Sequence, residues 1–336
     1  MKHTALFCFS LFLISCIPLS IGKKTDPLDF SPPRFTEASV TGAKSIRLRF
    51  DKACTVLDAK PVISSGLTVQ KVSYPEEGII LIETAETQIP GKEYVIDLTV
   101  ADASGNTTTL MWAFYGFNSR IPRLQLNEIC VNGSSTRPDM VEILSLSEGN
   151  LAGLCLYHGS PSDYKSLFIF PNAEVKVGEM ILVHFKPEGL ATEVQETGAL
   201  DESGGKLSHP NARDFWVEGG SGLSGTNGAL ALYDTPNGTL IEAFLYSNRT
   251  TASDTAYNGF GSASFLTNVT EITEAGGWQW SSETPRPEEC FNPTKSTSTR
   301  TINRRPDTPS GSRFSWFIGA TSTASFGEPN TDKEYF

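Results

Sequence analysis

EYVIDLTV, residues 93–100, sets Tyr94, Ile96, Leu98 and Val100 alternately with Glu93, Val95, Asp97 and Thr99. A period of two is that of a β-strand with one face against a core. SIRLRF (45–50) repeats the pattern, with Ile46, Leu48 and Phe50 opposed to Ser45, Arg47 and Arg49. GIILIET (78–84) is apolar almost throughout, as a central sandwich strand can be. GLTVQKVSY (66–74) alternates less strictly, and TTLMWAFYGF (108–117) closes the set. Pro90-Gly91 and Ser104-Gly105-Asn106 are turn signals between these runs. Short strands spaced by roughly 8–12 residues predict an all-β sandwich.

Composition agrees with that class. The chain has 336 residues, room for two domains with cores of their own. It carries 29 Gly and 20 Pro with many Ser and Thr, as turn-rich β proteins do. Hydrophobic residues at 39%, among them 20 Phe, are too many for a disordered chain. The net charge of −11 argues against nucleic acid as a partner, because phosphate binding needs a basic surface.

SIRLRFDKAC followed by QIPGKEYVIDLTVADASGNTT resembles the bacterial Ig-like domains of surface proteins. The matching positions are Phe50, Asp51, Pro90, Gly91, Tyr94, Asp102, Gly105 and Asn106. The resemblance implies an Ig-like sandwich over residues 34–117. Asp102 and Asn106 are read as holding their turn by side-chain hydrogen bonds rather than as calcium ligands.

Beyond a short basic linker, 118–123, the trio LQLNEICVNG (124–133), DMVEILSLSEG (139–149) and NLAGLCLYHG (150–159) resembles the lamin tail domain. Asn127, Glu128, Ile129, Val141, Glu142, Ile143, Leu151 and Gly153 stand at that family's positions, and Leu154 replaces its usual tryptophan. The family's ending is matched by Trp280, Ser296 to Thr299, Arg300, Arg304, Trp316 and Gly327-Glu328-Pro329-Asn330. The resemblance implies a second Ig-like sandwich over 124–331, with a tail at 332–336. Residues 186–224 and 247–277, rich in Gly, Ser and Thr, read as long loops.

The amino terminus, MKHTALFCFSLFLISCIPLS (1–20), has a basic start and then an apolar centre. Such a run is too short to span a bilayer, which takes about 20 apolar residues. It has the form of a secretory signal. Leu13-Ile14-Ser15-Cys16 resembles the lipobox of bacterial lipoproteins. That resemblance implies a signal peptide at 1–15, acylation of Cys16, and a polar tether over 16–33. The alternative is a plain signal peptide cut after Ser20 or Gly22.

In an oxidising compartment Cys54, Cys130, Cys155 and Cys290 allow two bridges in three connectivities. Cys130 and Cys155, in neighbouring predicted strands, are the expected pair; the other reading makes them small apolar core residues. Glu128 and Glu142 are the obvious acid pair. As glycosidase carboxylates they would need a cleft and a controlled separation. The structural reading has them hold turns and pair with Arg300 or Arg304, since a buried carboxylate needs a partner. His158, His184 and His209 lack metal-ligand spacing, and no nucleophile elbow or phosphate loop occurs. In DFWVEGGSGLSGTNG (214–228), Phe215 and Trp216 beside mobile glycines read either as exposed contact residues or as the cover of a sandwich edge.

The expected protein is a non-enzymatic lipoprotein of a diderm cell envelope, a spirochaete's given the loose lipobox. Two tandem Ig-like sandwiches would be held to the membrane through Cys16 and present loops to a protein or polysaccharide ligand. No cofactor, metal or nucleic acid is expected. The alternatives are an accessory module for an exported hydrolase, or a hydrolase acting through Glu128 and Glu142.

Overall fold

The structure, a computed structural model, describes residues 29–57 and 61–336. Cys16 and the segment around it lie outside the described residues. Among the described residues no helix is long and apolar enough to cross a membrane.

The chain is all-β, built from two sandwiches. The first opens with β1 (Phe35–Gly42), β2 (Ser45–Phe50), β3 (Thr55–Val56) and β4 (Val62–Ile63). It continues with β5 (Val69–Ser73), β6 (Ile79–Thr84), β7 (Glu93–Ala101) and β8 (Thr107–Tyr115). One sheet has the order β1-β2-β6-β5. In the other, β7 pairs with β8 along its whole length and with β3 and β4 at different points. Ile46, Leu48, Ile80 and Ile82 from one sheet meet Tyr94, Ile96, Leu98 and Phe114 from the other. Each such side chain contributes roughly 1.5–3 kcal/mol relative to exposure. The alternation in 45–50 and 93–100 is thus the inner face of two facing sheets. At the β7–β8 turn, Asp102 Oδ1 accepts from the Ser104 and Asn106 amides at 2.9 and 3.0 Å, and Asn106 Nδ2 donates to Oδ2.

The junction is close. Gly91 (φ +71°) lies against Gly153, where an added Cβ would come within 2.9 Å of the Gly153 nitrogen. Asn118 Nδ2 donates to the carbonyls of Asn150 and Ala152, tying the linker to the second sandwich.

That sandwich begins with β9 (Leu124–Cys130), β10 (Met140–Ser145), β11 (Gly149–Asn150), β12 (Cys155–Ser160) and β13 (Asp163–Ile169). There follow β14 (Glu174–Val175), β15 (Met180–His184), β16 (Arg213–Trp216), β17 (Asn227–Tyr233) and β18 (Leu240–Ser247). Helix α1 (Ala263–Glu274), β19 (Ile302–Arg304) and β20 (Trp316–Ile318) complete it. A six-stranded sheet, β16-β15-β10-β9-β19-β20, faces a four-stranded one, β13-β12-β17-β18. All these pairings are antiparallel except β15 with β16. Leu126, Val141, Ile181, Leu156, Leu232 and Phe244 lie in the core.

Residues 186–224 and 247–277 are more ordered than their composition predicts. The first holds β16, parallel to β15. Arg213 there donates to Glu179 at 2.7 Å and to the Glu196 carbonyl at 2.7 Å. The fully buried Glu196 carboxylate accepts from the amides of Glu202, Ser203 and Asp214. The second segment holds α1. Ser262 caps it by accepting from the Phe265 amide at 3.1 Å, and Phe265, Val269 and Ile272 bury one face.

Candidate functional site

A one-residue bulge positions the acid pair. Ile143 pairs with Leu126 and Glu142 with Glu128, so Asn127 is the extra residue in β9. Leu124 and Leu126 face the core before it, and Ile129 and Val131 after it. The bulge therefore turns Glu128 to the outer face of the sheet, beside Glu142. Asn303 of β19 is the cross-strand neighbour of Glu128 on its other side.

That outer face is covered by the segment following β20. Phe326, with Leu207, packs on Met140, Leu182 and Ala212. Ser325 gives its amide (3.0 Å) and hydroxyl (2.7 Å) to Glu128, which also accepts from the Thr301 hydroxyl. Gly327 gives its amide to Glu142 at 2.7 Å, and Asn127 Nδ2 donates to the same carboxyl at 2.5 Å. Asn330 Nδ2 donates to the Asn127 carbonyl at 3.1 Å. Both glutamates are fully buried. Burial raises both pKa values against the pull of these donors, and Glu142 is pushed up to about 8.

The expected arginine partners are elsewhere. Arg304 forms a buried ion pair with Glu242 of β18, bridging the two sheets. The other oxygen of Glu242 accepts from the Leu126 amide at 2.7 Å. Arg300 lies over the Tyr335 ring, 4.2 Å from its centroid. Trp316 is buried, with Phe244 at 4.7 Å and the Arg304 guanidinium at 5.4 Å.

Phe215 and Trp216 belong to strand β16, not to a mobile loop, and both are buried. Phe215 packs against Phe168 and Phe170. Trp216 stacks on His184 at 3.8 Å, and His184 Nε2 lies 2.6 Å from Asp214 Oδ1. They offer no face to a partner: Phe215 points into the core, while Trp216, on the opposite face of the strand, is covered by Ser203 and Gly205. The cysteine pairing is also corrected. Cys54, Cys130, Cys155 and Cys290 are buried free thiols. Cys130 ends β9 in the six-stranded sheet and Cys155 opens β12 in the four-stranded one, and no bridge joins them across the core. Burial pushes the Cys130 thiol up to about 12.

The three histidines of this sandwich do not converge: His184 meets Asp214, His209 lies 3.6 Å from Glu328, and His158 faces Phe185. Among the described residues no three His, Cys, Asp or Glu side chains gather as a metal site would require.

A groove of about 390 Å³ lies between the end of β18, residues 288–292 and residues 313–314. Asn248, Arg249, Asn292, Arg313 and Phe314 line it. Phe314 is 68% exposed, with the Arg313 guanidinium 4.7 Å from its ring centroid. An exposed aromatic beside guanidinium and amide groups suits a saccharide or peptide face. RFS (313–315) carries no sequence signal that would have singled it out.

An uncharacterized protein of Treponema pallidum (strain Nichols) is 28% identical to this chain over 159 residues. Those residues are 47% of this chain and 40% of the relative, so the chain spans less than half the length of the protein it matches. The sequence model of the TP_1001_2nd family, described as a protein second domain, matches residues 122–318. That span runs from the linker through the last strand of the second sandwich and covers more than half of the chain. The chain belongs to the TP_1001_2nd family.

Proposed function

We propose that the protein is a non-catalytic binding protein of the cell envelope, held to a membrane by a lipid on Cys16. The observation that carries this reading is the state of Glu128 and Glu142. Acid–base catalysis needs carboxyls that reach a substrate. These two are buried, and their oxygens are occupied by Thr301, Ser325, Gly327 and Asn127. The first sandwich is read as a bacterial Ig-like domain. The second is read as a lamin tail domain, a reading supported by the bonds between Asn127 and Asn330 at the two ends of that family's pattern. The spirochaete source of the relative agrees with the lipobox reading. The binding face is the groove beside Phe314, and a protein or polysaccharide is the ligand class it suits.

A second reading, an accessory module for an exported hydrolase, draws on the relative, whose matched part is 40% of a longer chain. Three experiments test the proposal. Metabolic lipid labelling should mark the wild type and not Cys16→Ala. Protease treatment of intact cells should remove the protein if it faces outward, and a glycan and matrix-protein binding panel should find a ligand lost in Phe314→Ala. Absence of lipid on the wild type would remove the anchor; hydrolysis of a panel substrate lost in Glu142→Gln would replace the binding role with an enzymatic one.

A further inference from the structure

A small cavity of about 60 Å³ lies between the β12–β13 hairpin, the start of β17 and the first turn of α1, away from the groove and the acid pair. His158, Lys165, Asn227, Ser262 and Ser264 are on its wall. His158 is 3% exposed, and its Nδ1 is buried without a hydrogen-bond partner among the described residues. A buried imidazole without a partner costs about 1–3 kcal/mol, so such a group in a polar cavity points to a ligand. Burial, and then the charge of Lys165, holds its pKa down to about 4, so at neutral pH the ring is uncharged and offers one N–H.

The remaining wall offers a helix N-terminus and an ammonium group. Helix α1 has 12 residues and directs its N-terminus at the cavity. Ser262 Oγ takes the amide of Phe265, which leaves those of Ala263 and Ser264 outside the intrahelical ladder. The positive end of the helix dipole, the exposed Lys165 ammonium and the imidazole N–H all favour negative charge. Asp163 also lines the cavity, where its Oδ1 accepts from the Ser264 hydroxyl at 2.9 Å and its charge offsets that of Lys165. Gly228 forms part of the wall, and an added Cβ there would come within 2.6 Å of the Tyr246 hydroxyl.

We propose that this cavity binds a small oxyanion, a phosphate, sulfate or terminal carboxylate, between His158, Lys165 and the N-terminus of α1. The volume admits such a group and little more. The test uses the full chain with nitrogen-15 in its histidine rings. It is titrated with inorganic phosphate, sulfate and acetate at matched ionic strength, with chloride as control. The expected result is a saturable shift of the His158 ring signals at millimolar concentrations of at least one oxyanion and not with chloride. The ranking of the three identifies the chemistry. Lys165→Gln, a change at an exposed side chain that leaves the fold intact, should weaken that binding roughly tenfold or more, as loss of a hydrogen bond to a charged group implies. No saturable shift with any of the three, or an affinity unchanged in Lys165→Gln, would overturn the proposal.

Discussion

Glu142 stands directly opposite Glu128 in the β9–β10 ladder, and both are fully buried. Among the described residues no lysine or arginine pairs with either. Like charges facing across a strand pair destabilise it, and an unpaired buried charge costs more. The proton on Glu142 resolves the conflict at neutral pH.

That arrangement fixes the sign of a pH dependence. The folded pKa of Glu142, about 8, lies above the ordinary value of 4.5, so the folded state keeps a proton the unfolded chain has released. The stabilisation is fully present below about pH 4.5 and is lost as pH rises toward about 8. Urea unfolding across this window should show stability falling with pH in the wild type. The slope should flatten in Glu142→Gln, which keeps an acceptor for the Gly327 amide.

Among the described residues, Arg304–Glu242 is the only ion pair that bridges the two sheets of the second sandwich, and both side chains are buried. Removing one partner strands the other. Arg304→Leu and Glu242→Leu should each cost about 3–5 kcal/mol in chemical denaturation. The double replacement should cost less than the sum of the two.

Free thiols make a redox prediction. The unfolding midpoint should be the same with and without reductant. Cys54, Cys130, Cys155 and Cys290 should resist alkylation in the native protein and all react after denaturation, read by mass spectrometry. A bridged Cys130–Cys155 peptide would contradict the free thiol state of these residues.

Aromatic residues separate core from surface. Phe215→Ala should destabilise by about 3–5 kcal/mol, as for large-to-small changes in a packed core. Phe314→Ala, at a side chain 68% exposed, should shift stability by less than about 0.5 kcal/mol. Calorimetry on the two variants checks the contrast.

The strands of the first sandwich were legible where one face is buried, as in 45–50 and 93–100. β1 was not, because FTEASVTG is a sheet-edge strand with no fully buried position. β16 escaped because four residues pairing in parallel leave no alternation to read, and glycines follow them. Helix α1 carried a Ser262 cap and apolar residues at 265, 269 and 272, but threonines and flanking glycines masked them. At the acid pair, the residue types were visible and their partners were not. A bulge of one residue at Asn127 leaves no compositional trace, and a backbone amide donor such as that of Gly327 has no side-chain signature. The chain pairs Glu128 and Glu142 with donors nearly 200 residues away, where charge matching pointed to arginines instead.

The central claim is that Glu128 and Glu142 fasten the segment after β20 to the sheet. Amide hydrogen exchange of Ser325 and Gly327 tests it most directly. Both amides should be protected in the wild type. Glu142→Leu should release Gly327, and Glu128→Leu should release Ser325, while the β9–β10 ladder stays protected. Protection at Ser325 and Gly327 that is unchanged by either replacement would contradict the account.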